Sequence, residues 1–391
     1  MTTIYLPYSK SICNRVLLLN ALSHSPYTIE NLSTCDDTCV MQEALKQKDS
    51  HIQVGAAGTA MRFLTAYFAQ QPGDWVLSGT KRMHERPVKL LVDALNQLGG
   101  CVEYVEKEGY PPLRIKGGGI RGGSCVIDGS VSSQYISALM MIAPNMQNGL
   151  HLQIVGEMVS KDYITMTIAL MQHYGAQIII NENEIQIPPQ KYTPRTYEIE
   201  RDWSAASYFY EWLALQNERH IFLPGLQNWS LQGDAACAEL FRPLGIETQY
   251  QTDGVYLSVH PCKTTDEYVQ NLVNHPDLVP AIAVTCCLKN IPFQLSGLKT
   301  LYIKESNRIE ALVRELEKLG YILTSDHQGN LSWNGTKCLP KPNPCIETYD
   351  DHRIAMAFAP AAILHPTLSI AHPEVVNKSF PDFWKEYSKL C

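Results

Sequence analysis

No stretch of this sequence is apolar for long enough to cross a bilayer. Its longest such runs, Ala355–Leu364 and Ile282–Leu288, fall far short of the ~20 residues that a helical span needs. Surplus positive charge is missing too, since 32 Lys+Arg face 39 Asp+Glu and the net charge is −7. A general nucleic-acid binder replaces phosphate counterions with excess cationic side chains, so no nucleic-acid partner is expected. A small anionic ligand stays open, because a cleft can focus local charge against the global sign. The GxxxxGKS/T phosphate loop, the HExxH zinc motif and a GxGxxG after a strand are all absent. The 12 histidines show no metal-ligand spacing alongside cysteine, so neither metal nor cofactor is expected. The 12 cysteines contain no CxxC pair, and the adjacent Cys286-Cys287 are badly placed to bridge each other, which suits a reducing, cytoplasmic setting. Lys10 and Arg15 precede the apolar Val16–Leu22 much as in a signal peptide, but Asn20 interrupts the run and no clear cleavage site follows. That segment reads as a packed helix. With 45% hydrophobic and 18% charged residues, disorder and low-complexity assembly are excluded.

What is present is a repeat. At 391 residues the chain exceeds one hydrophobic core, and two domains are expected. Four segments share one grammar of amphipathic helix, glycine stop, strand, tight turn and strand: Pro87–Lys116, Asp162–Ile187, Asp234–Val259 and Glu305–Trp333. Their stops, Leu98-Gly99, Tyr174-Gly175, Leu244-Gly245 and Leu319-Gly320, recur about every 70–75 residues. Between them lie segments apolar nearly all round, as in helices buried within a domain: Thr59–Phe68, Ser133–Ile142, Ser204–Leu215, Leu278–Leu288 and His352–Leu364. Each precedes a predicted strand, at Trp75–Ser78, His151–Val155, Ile221–Pro224, Phe293–Leu295 and Leu368–Ala371. A sixth buried helix, Ser11–Leu22, precedes a predicted strand at Thr28–Leu32. From Lys10 to Gly58 there are only 48 residues, so the first unit is short by a hairpin.

The buried helices open on Ser9-Lys10-Ser11, Ala57-Gly58-Thr59, Ser132-Ser133-Gln134, Asp202-Trp203-Ser204, Pro276-Asp277 and Asp350-Asp351-His352-Arg353. Ser, Thr or Asp there is explained by capping. Lys10, Arg15 and Arg353 are not, because a cation in the first turn opposes the helix dipole unless an anion joins it. Arg86, Lys304, Arg308 and Lys378 also stand at helix openings. Six such openings converging on one inter-domain cleft would hold a pair of anionic substrates.

These residues also carry a resemblance. Leu6-Pro7-Tyr8-Ser9-Lys10-Ser11-Ile12-Cys13-Asn14-Arg15, Ala57-Gly58-Thr59-Ala60-Met61-Arg62, Glu85-Arg86-Pro87 and Asp128-Gly129-Ser130-Val131-Ser132-Ser133-Gln134 resemble signatures of the 5-enolpyruvylshikimate-3-phosphate synthase family. So do Val159-Ser160-Lys161-Asp162-Tyr163, Lys304-Glu305-Ser306-Asn307-Arg308, Asp351-His352-Arg353 and Lys378-Ser379-Phe380-Pro381-Asp382. They occur in family order over nearly the whole chain.

The resemblance implies an α/β (α+β) enolpyruvyl transferase-like fold, with two domains, each of three βαβαββ units forming an inside-out α/β barrel, and the first unit shortened. Residues 9–200 would form a continuous lobe, and 1–8 with 201–391 a discontinuous one, joined by a hinge of two crossing strands around an inter-lobe site. The implied reaction joins phosphoenolpyruvate to shikimate 3-phosphate with release of phosphate, in a cytoplasmic monomer with no cofactor and no membrane. Asp277, Glu305 and Lys10 would be catalytic. Lys10, Gly58, Arg86, Gln134, Arg308, Arg353 and Lys378 would bind phosphoenolpyruvate. Lys10, Ser11, Arg15, Ser132, Ser133, Gln134, Ser160, Tyr163, Asp277 and Lys304 would bind shikimate 3-phosphate. Three positions depart from the family pattern: Tyr8 and Ala56 replace a small residue and an Asn, and Thr300 replaces an Asn. The sister transferase acting on UDP-N-acetylglucosamine fits less well, since Lys81–Arg86 contains no cysteine. A nucleic-acid end-processing relative is disfavoured by charge, and a silent binding module by the retained Lys10, Asp277, Glu305 and Arg353.

Overall fold

The computed structural model describes residues 2–47, 49–217, 219–260 and 264–390. The chain divides into two compact units, a continuous one of residues 10–199 and a discontinuous one of residues 1–9 with 200–391.

The chain opens with β1 (Thr2–Thr3), which belongs to the discontinuous unit. In the continuous unit follow α1 (Lys10–Leu22), α2 (Asp36–Lys46), β2 (His51–Gln53), α3 (Gly58–Gln70), β3 (Gly73–Ser78), α4 (Lys89–Gln97), β4 (Val102–Tyr104) and β5 (Leu113–Gly117). It continues with β6 (Gly123–Asp128), α5 (Ser133–Ile142), β7 (Leu150–Val155), α6 (Lys161–His173), β8 (Ile179–Asn181) and β9 (Glu184–Ile187). The discontinuous unit resumes with α7 (Trp203–Ala214), β10 (His220–Pro224), α8 (Cys237–Phe241), β11 (Ile246–Tyr250), β12 (Gly254–Val259), β13 (Tyr268–Asn271), α9 (Val279–Leu288) and β14 (Phe293–Ser296). Last come α10 (Arg308–Lys318), β15 (Thr324–Ser325), β16 (Leu331–Trp333), β17 (Cys345–Ile346), α11 (His352–Phe358), β18 (Ser369–Ile370) and α12 (Phe383–Ser388).

One plan recurs in four sheets, ordered β2-β3-β5-β4, β6-β7-β9-β8, β1-β10-β12-β11 and β13-β14-β16-β15. The first two strands of each run parallel, as in His51↔Val76 or Tyr268↔Phe293. Parallel neighbours need a crossover, which the buried helix supplies. The hairpin then adds two antiparallel strands, as in Trp75↔Ile115 and Val102↔Ile115. In β1-β10-β12-β11 the leading strand is borrowed from the far end of the chain, Thr2 pairing with Ile221.

Two units depart from the plan. The strand expected at Thr28–Leu32 is reduced to one parallel bridge between Glu30 and Glu198. Asn31 turns to φ 62°, which ends the extended backbone, and no hairpin follows to extend a ladder. The last unit keeps only the two-stranded β17-β18. Its buried helix also stops sooner than its apolar pattern suggests, at Phe358, and continues as a 3-10 turn over Ala359–Ile363. Pro360 has no amide to donate, so the α-ladder ends there.

The cores follow from the apolar helices. In the continuous unit α1, α3 and α5 pack on one another, and in the discontinuous unit α7, α9 and α11 do so. Every residue of α9 is buried. Fully burying a Val, Leu, Ile, Phe or Met side chain contributes about 1.5–3 kcal/mol. The amphipathic α4 and α10 instead bury one face, Leu91, Val92, Ala94 and Leu95 in the first and Ile309, Ala311, Leu312 and Leu316 in the second. All ten described cysteines are free thiols. No described helix is long and apolar enough to cross a membrane.

Candidate active site

In the continuous unit the polar residues gather at helix openings. Ser132 caps α5, its Oγ accepting from the Gln134 amide at 3.2 Å, and Gln134 Nε2 donates to Thr59 Oγ1 at 3.2 Å. That contact ties the openings of α3 and α5 together. Gly58 opens α3 under the guanidinium of Arg86, and a Cβ at Gly58 would lie 2.5 Å from Arg86 Nη1. Only glycine permits that approach. Arg62 fixes the segment beside it, donating to the Gly58 carbonyl at 3.2 Å and the Pro87 carbonyl at 2.9 Å.

Lys10 opens α1 and pairs with Asp37 in the first turn of α2 at 3.1 Å. Ser11 follows it, and its carbonyl accepts from Arg15 at 2.9 Å. Arg15 is almost wholly enclosed. Its Nε donates to Thr167 Oγ1 at 2.7 Å, and its Nη2 reaches Ser137 Oγ and the Tyr163 carbonyl at 3.4 Å. Burial lowers this guanidinium to about 10, partly countered by Tyr163. Neutral oxygens from α1, α5 and α6 surround it, so Arg15 braces the residues beside the openings. Buried Ser160 precedes α6 with φ 53°, a left-handed conformation rare for serine and common where function demands strain. Ser133 is buried in the first turn of α5.

The discontinuous unit is built differently. Asp277 stands just before α9 and lies between three cations: Arg308 Nη1 at 2.9 Å, Arg353 Nη2 at 3.0 Å and Lys304 Nζ at 3.7 Å. Arg308 also reaches Glu305 Oε2 at 3.0 Å and clasps Asp351 through Nε at 2.8 Å and Nη2 at 3.2 Å. Three cations and three carboxylates therefore interleave across the openings of α9, α10 and α11. Burial by itself raises the Asp277 carboxyl, but Arg353, Lys304 and Arg308 together hold it well below the usual carboxylate range. Burial lowers the Lys304 ammonium against the pull of Asp277. Asp351 caps α11, its Oδ1 accepting from the Arg353 amide at 3.0 Å. Buried Lys378 ends a 3-10 turn, Pro373–Lys378, that packs on α11.

Within this unit, Asp277, Lys304, Glu305, Arg308 and Arg353 thus form one network. Sequence reasoning left Asp37, Ser137, Thr167 and Tyr208 without roles and gave Asp351 only a capping one, although Asp37 follows Asp36 in a first-turn acidic pair. Tyr208 is legible only in three dimensions, its hydroxyl 3.4 Å from Arg353 Nη1. Buried Asp234 accepts a hydrogen bond from Ser204 Oγ, and burial, then the nearby Asp277 charge, pushes it up to about 7. Of the departures, Tyr8 stacks under Arg201 at 3.9 Å and bridges to the same residue. Thr300 Oγ1 is buried with no hydrogen-bond partner among the described residues. No described group of three or more His, Cys, Asp and Glu is arranged to hold a metal ion.

The family model for EPSP synthase (3-phosphoshikimate 1-carboxyvinyltransferase) matches residues 45–387. The chain belongs to the EPSP synthase family. A 3-phosphoshikimate 1-carboxyvinyltransferase from Bacteroides fragilis is 47% identical over 99% of this chain and 94% of its own length. Among solved structures, an EPSP synthase from Acinetobacter baumannii superposes with a TM-score of 0.75 at 19% identity, covering 99% of this chain and 96% of that one. The enolpyruvyl transferase NikO from Streptomyces tendae gives 0.72 at 14% identity, covering 100% and 94%. These likenesses show the enolpyruvyl transferase fold, the family's two-domain arrangement of repeated βαβαββ units.

Proposed function

We propose that the chain is a 3-phosphoshikimate 1-carboxyvinyltransferase, moving the enolpyruvyl group of phosphoenolpyruvate to the 5-hydroxyl of shikimate 3-phosphate. The observation that carries this reading is the Asp277 network: a buried base candidate held by Arg308, Arg353 and Lys304, in a chain of this family.

In the proposed reaction the 5-hydroxyl oxygen attacks C2 of phosphoenolpyruvate and its proton passes to Asp277. C3 gains a proton, which Lys10 and Glu305 are suited to deliver. The tetrahedral intermediate then loses a C3 proton and inorganic phosphate, giving the enol ether. Lys10, Arg86, Arg308, Arg353 and Lys378 would surround the phosphoenolpyruvate phosphate and carboxylate, with Gln134 and the Gly58 backbone beside them. Ser132, Ser133, Ser160 and Lys304 would hold the shikimate phosphate, with Ser11, Arg15 and Tyr163 around the ring. Converging cations favour the charge that builds during addition.

The same cations explain how a depressed carboxylate can act as a base. In the free protein Arg353, Lys304 and Arg308 stabilise the Asp277 anion. Once the anionic substrates share those cations, their hold on Asp277 weakens and its proton affinity rises. The substrates would thus activate the base that acts on them.

The test is phosphate release from phosphoenolpyruvate with shikimate 3-phosphate as acceptor. Release should depend on both substrates and disappear in Lys10→Met; no release above that control overturns the reading. A cytoplasmic monomer without cofactor is the expected working form, and sedimentation at micromolar concentration checks the monomer.

A further inference from the structure

The loop that presents Asp351 and Arg353 runs through two consecutive left-handed residues, Tyr349 at φ 53° and Asp350 at φ 55°. Neither is glycine, and two such residues in succession carry a backbone cost that the surrounding contacts must offset. What surrounds it is Glu315 of α10, a fully buried carboxylate. Tyr349 Oη donates to Glu315 Oε1 at 2.6 Å, and the Glu347 amide donates to Oε2 at 3.0 Å. Lys318 Nζ donates to the same Oε2 at 2.6 Å and to the Cys345 carbonyl at 2.8 Å. Both oxygens of one carboxylate therefore grip the two ends of a three-residue stretch. Immediately downstream the Asp351 amide closes a turn on the Thr348 carbonyl at 2.8 Å, and Ser306 Oγ donates to Asp351 Oδ2 at 3.0 Å.

We propose that Glu315 is a positioning residue of the transferase site, clamping residues 347–350 in a strained turn that sets Asp351, and through it Arg308 and Arg353. Glu315 bonds to neither arginine in this network, and its influence passes through Asp351, which both clasps Arg308 and caps the helix that carries Arg353. α10 carries Arg308 at its first position and Glu315 two turns later, so one rigid helix fixes both ends of the arrangement. A loosened clamp would blur the positions of two phosphoenolpyruvate ligands and leave the shikimate-phosphate serines of the continuous unit alone. The inference rests on the transferase reading for its kinetic consequence, but not for its structural one.

Three variants test it: Glu315→Gln, Tyr349→Phe, and Glu315→Gln combined with Asp350→Gly. Amide hydrogen exchange across residues 347–354 should quicken about tenfold in the first two, while residues 279–288 of α9 stay protected. In the same variants KM for phosphoenolpyruvate should rise about tenfold, with KM for shikimate 3-phosphate changing less than about twofold. Glycine enters the left-handed region without penalty, so Asp350→Gly should restore much of the lost affinity in the Glu315→Gln background. Tyr349→Phe, at a partly exposed position, keeps the test valid if the buried Gln variant fails to fold. Unchanged exchange at 347–354, or equal rises in both KM values without rescue, overturns the proposal. If the unaltered protein shows no turnover, the transferase reading falls and the exchange result alone decides the clamp.

Discussion

The two units solve the same helix-opening problem in opposite ways. In the continuous unit the buried helices open on Lys10-Ser11, Gly58-Thr59 and Ser132-Ser133, with hydroxyls, glycine and cations. In the discontinuous unit Asp202 caps α7, Asp277 precedes α9 and Asp351 caps α11. An aspartate there answers the helix dipole from within the protein. Hydroxyls and glycine leave room for an external anion on the amides. One unit thus opens its buried helices with hydroxyls, glycine and cations, and the other sets a carboxylate among cations already balanced by carboxylates. On the proposed reading both units supply anion ligands and proton-transfer groups, from two copies of one repeat design filled with different side chains.

The largest effect should come from the discontinuous unit. Asp277→Ala should lower kcat by roughly 10²–10⁴-fold with a small change in either KM, since general acid–base groups contribute in that range. Steady-state kinetics decide it, and a loss confined to KM would leave Asp277 a binding role alone and erase the contrast. The unaltered enzyme should show no acid limb from Asp277 in kcat/KM above the usual carboxylate range, because Arg353, Lys304 and Arg308 keep it ionised.

In the continuous unit the converse is expected. Gly58→Ala places a Cβ where Arg86 Nη1 now lies, so the guanidinium must move. KM for phosphoenolpyruvate should rise about tenfold while kcat falls less. A fall in kcat alone would tie the Gly58 backbone to the chemical steps rather than to binding. Thr167→Val removes the acceptor of Arg15 Nε and leaves a buried charged donor unsatisfied. Thermal unfolding should report a loss of about 1–3 kcal/mol.

The last effect shows only as a dependence on pH. Asp234 is pushed up to about 7 by burial and then by Asp277, so the folded protein holds a proton there that the unfolded chain has released. Stability from this group is complete below the ordinary aspartate range and is lost as pH rises to about 7. Asp234→Asn should remove about one proton's slope from stability across that window. A slope should remain from Glu211, a buried carboxyl with no hydrogen-bond partner among the described residues, which burial raises well above its ordinary value. Both groups lie in the discontinuous unit, so amide exchange there should carry the pH dependence.

Much of the fold was legible because its signals are local. Apolar all-round segments marked helices with no exposed face, and the glycine stops at Gly99, Gly175, Gly245 and Gly320 all take positive φ. The strand expected at Thr28–Leu32 failed for a non-local reason, since a strand needs a neighbour and the missing hairpin left only Glu198. Site cations were visible as charges that a helix opening does not explain. Their partners were not: Asp37 is 27 residues from Lys10, and Asp351 is 43 residues from Arg308. The roles of Glu315 and Asp234 also went unread, because a carboxylate in an amphipathic helix or a 3-10 turn looks solvated until packing encloses it.

By itself, then, the order of residues determined the repeat, the buried helices and which openings carry charge, because periodicity, capping and turn chemistry act over a few residues. Tertiary structure alone decided which carboxylate meets which cation. That choice depends on distances across a folded unit and on burial, which leave one aspartate ionised among cations and raise another until it holds a proton.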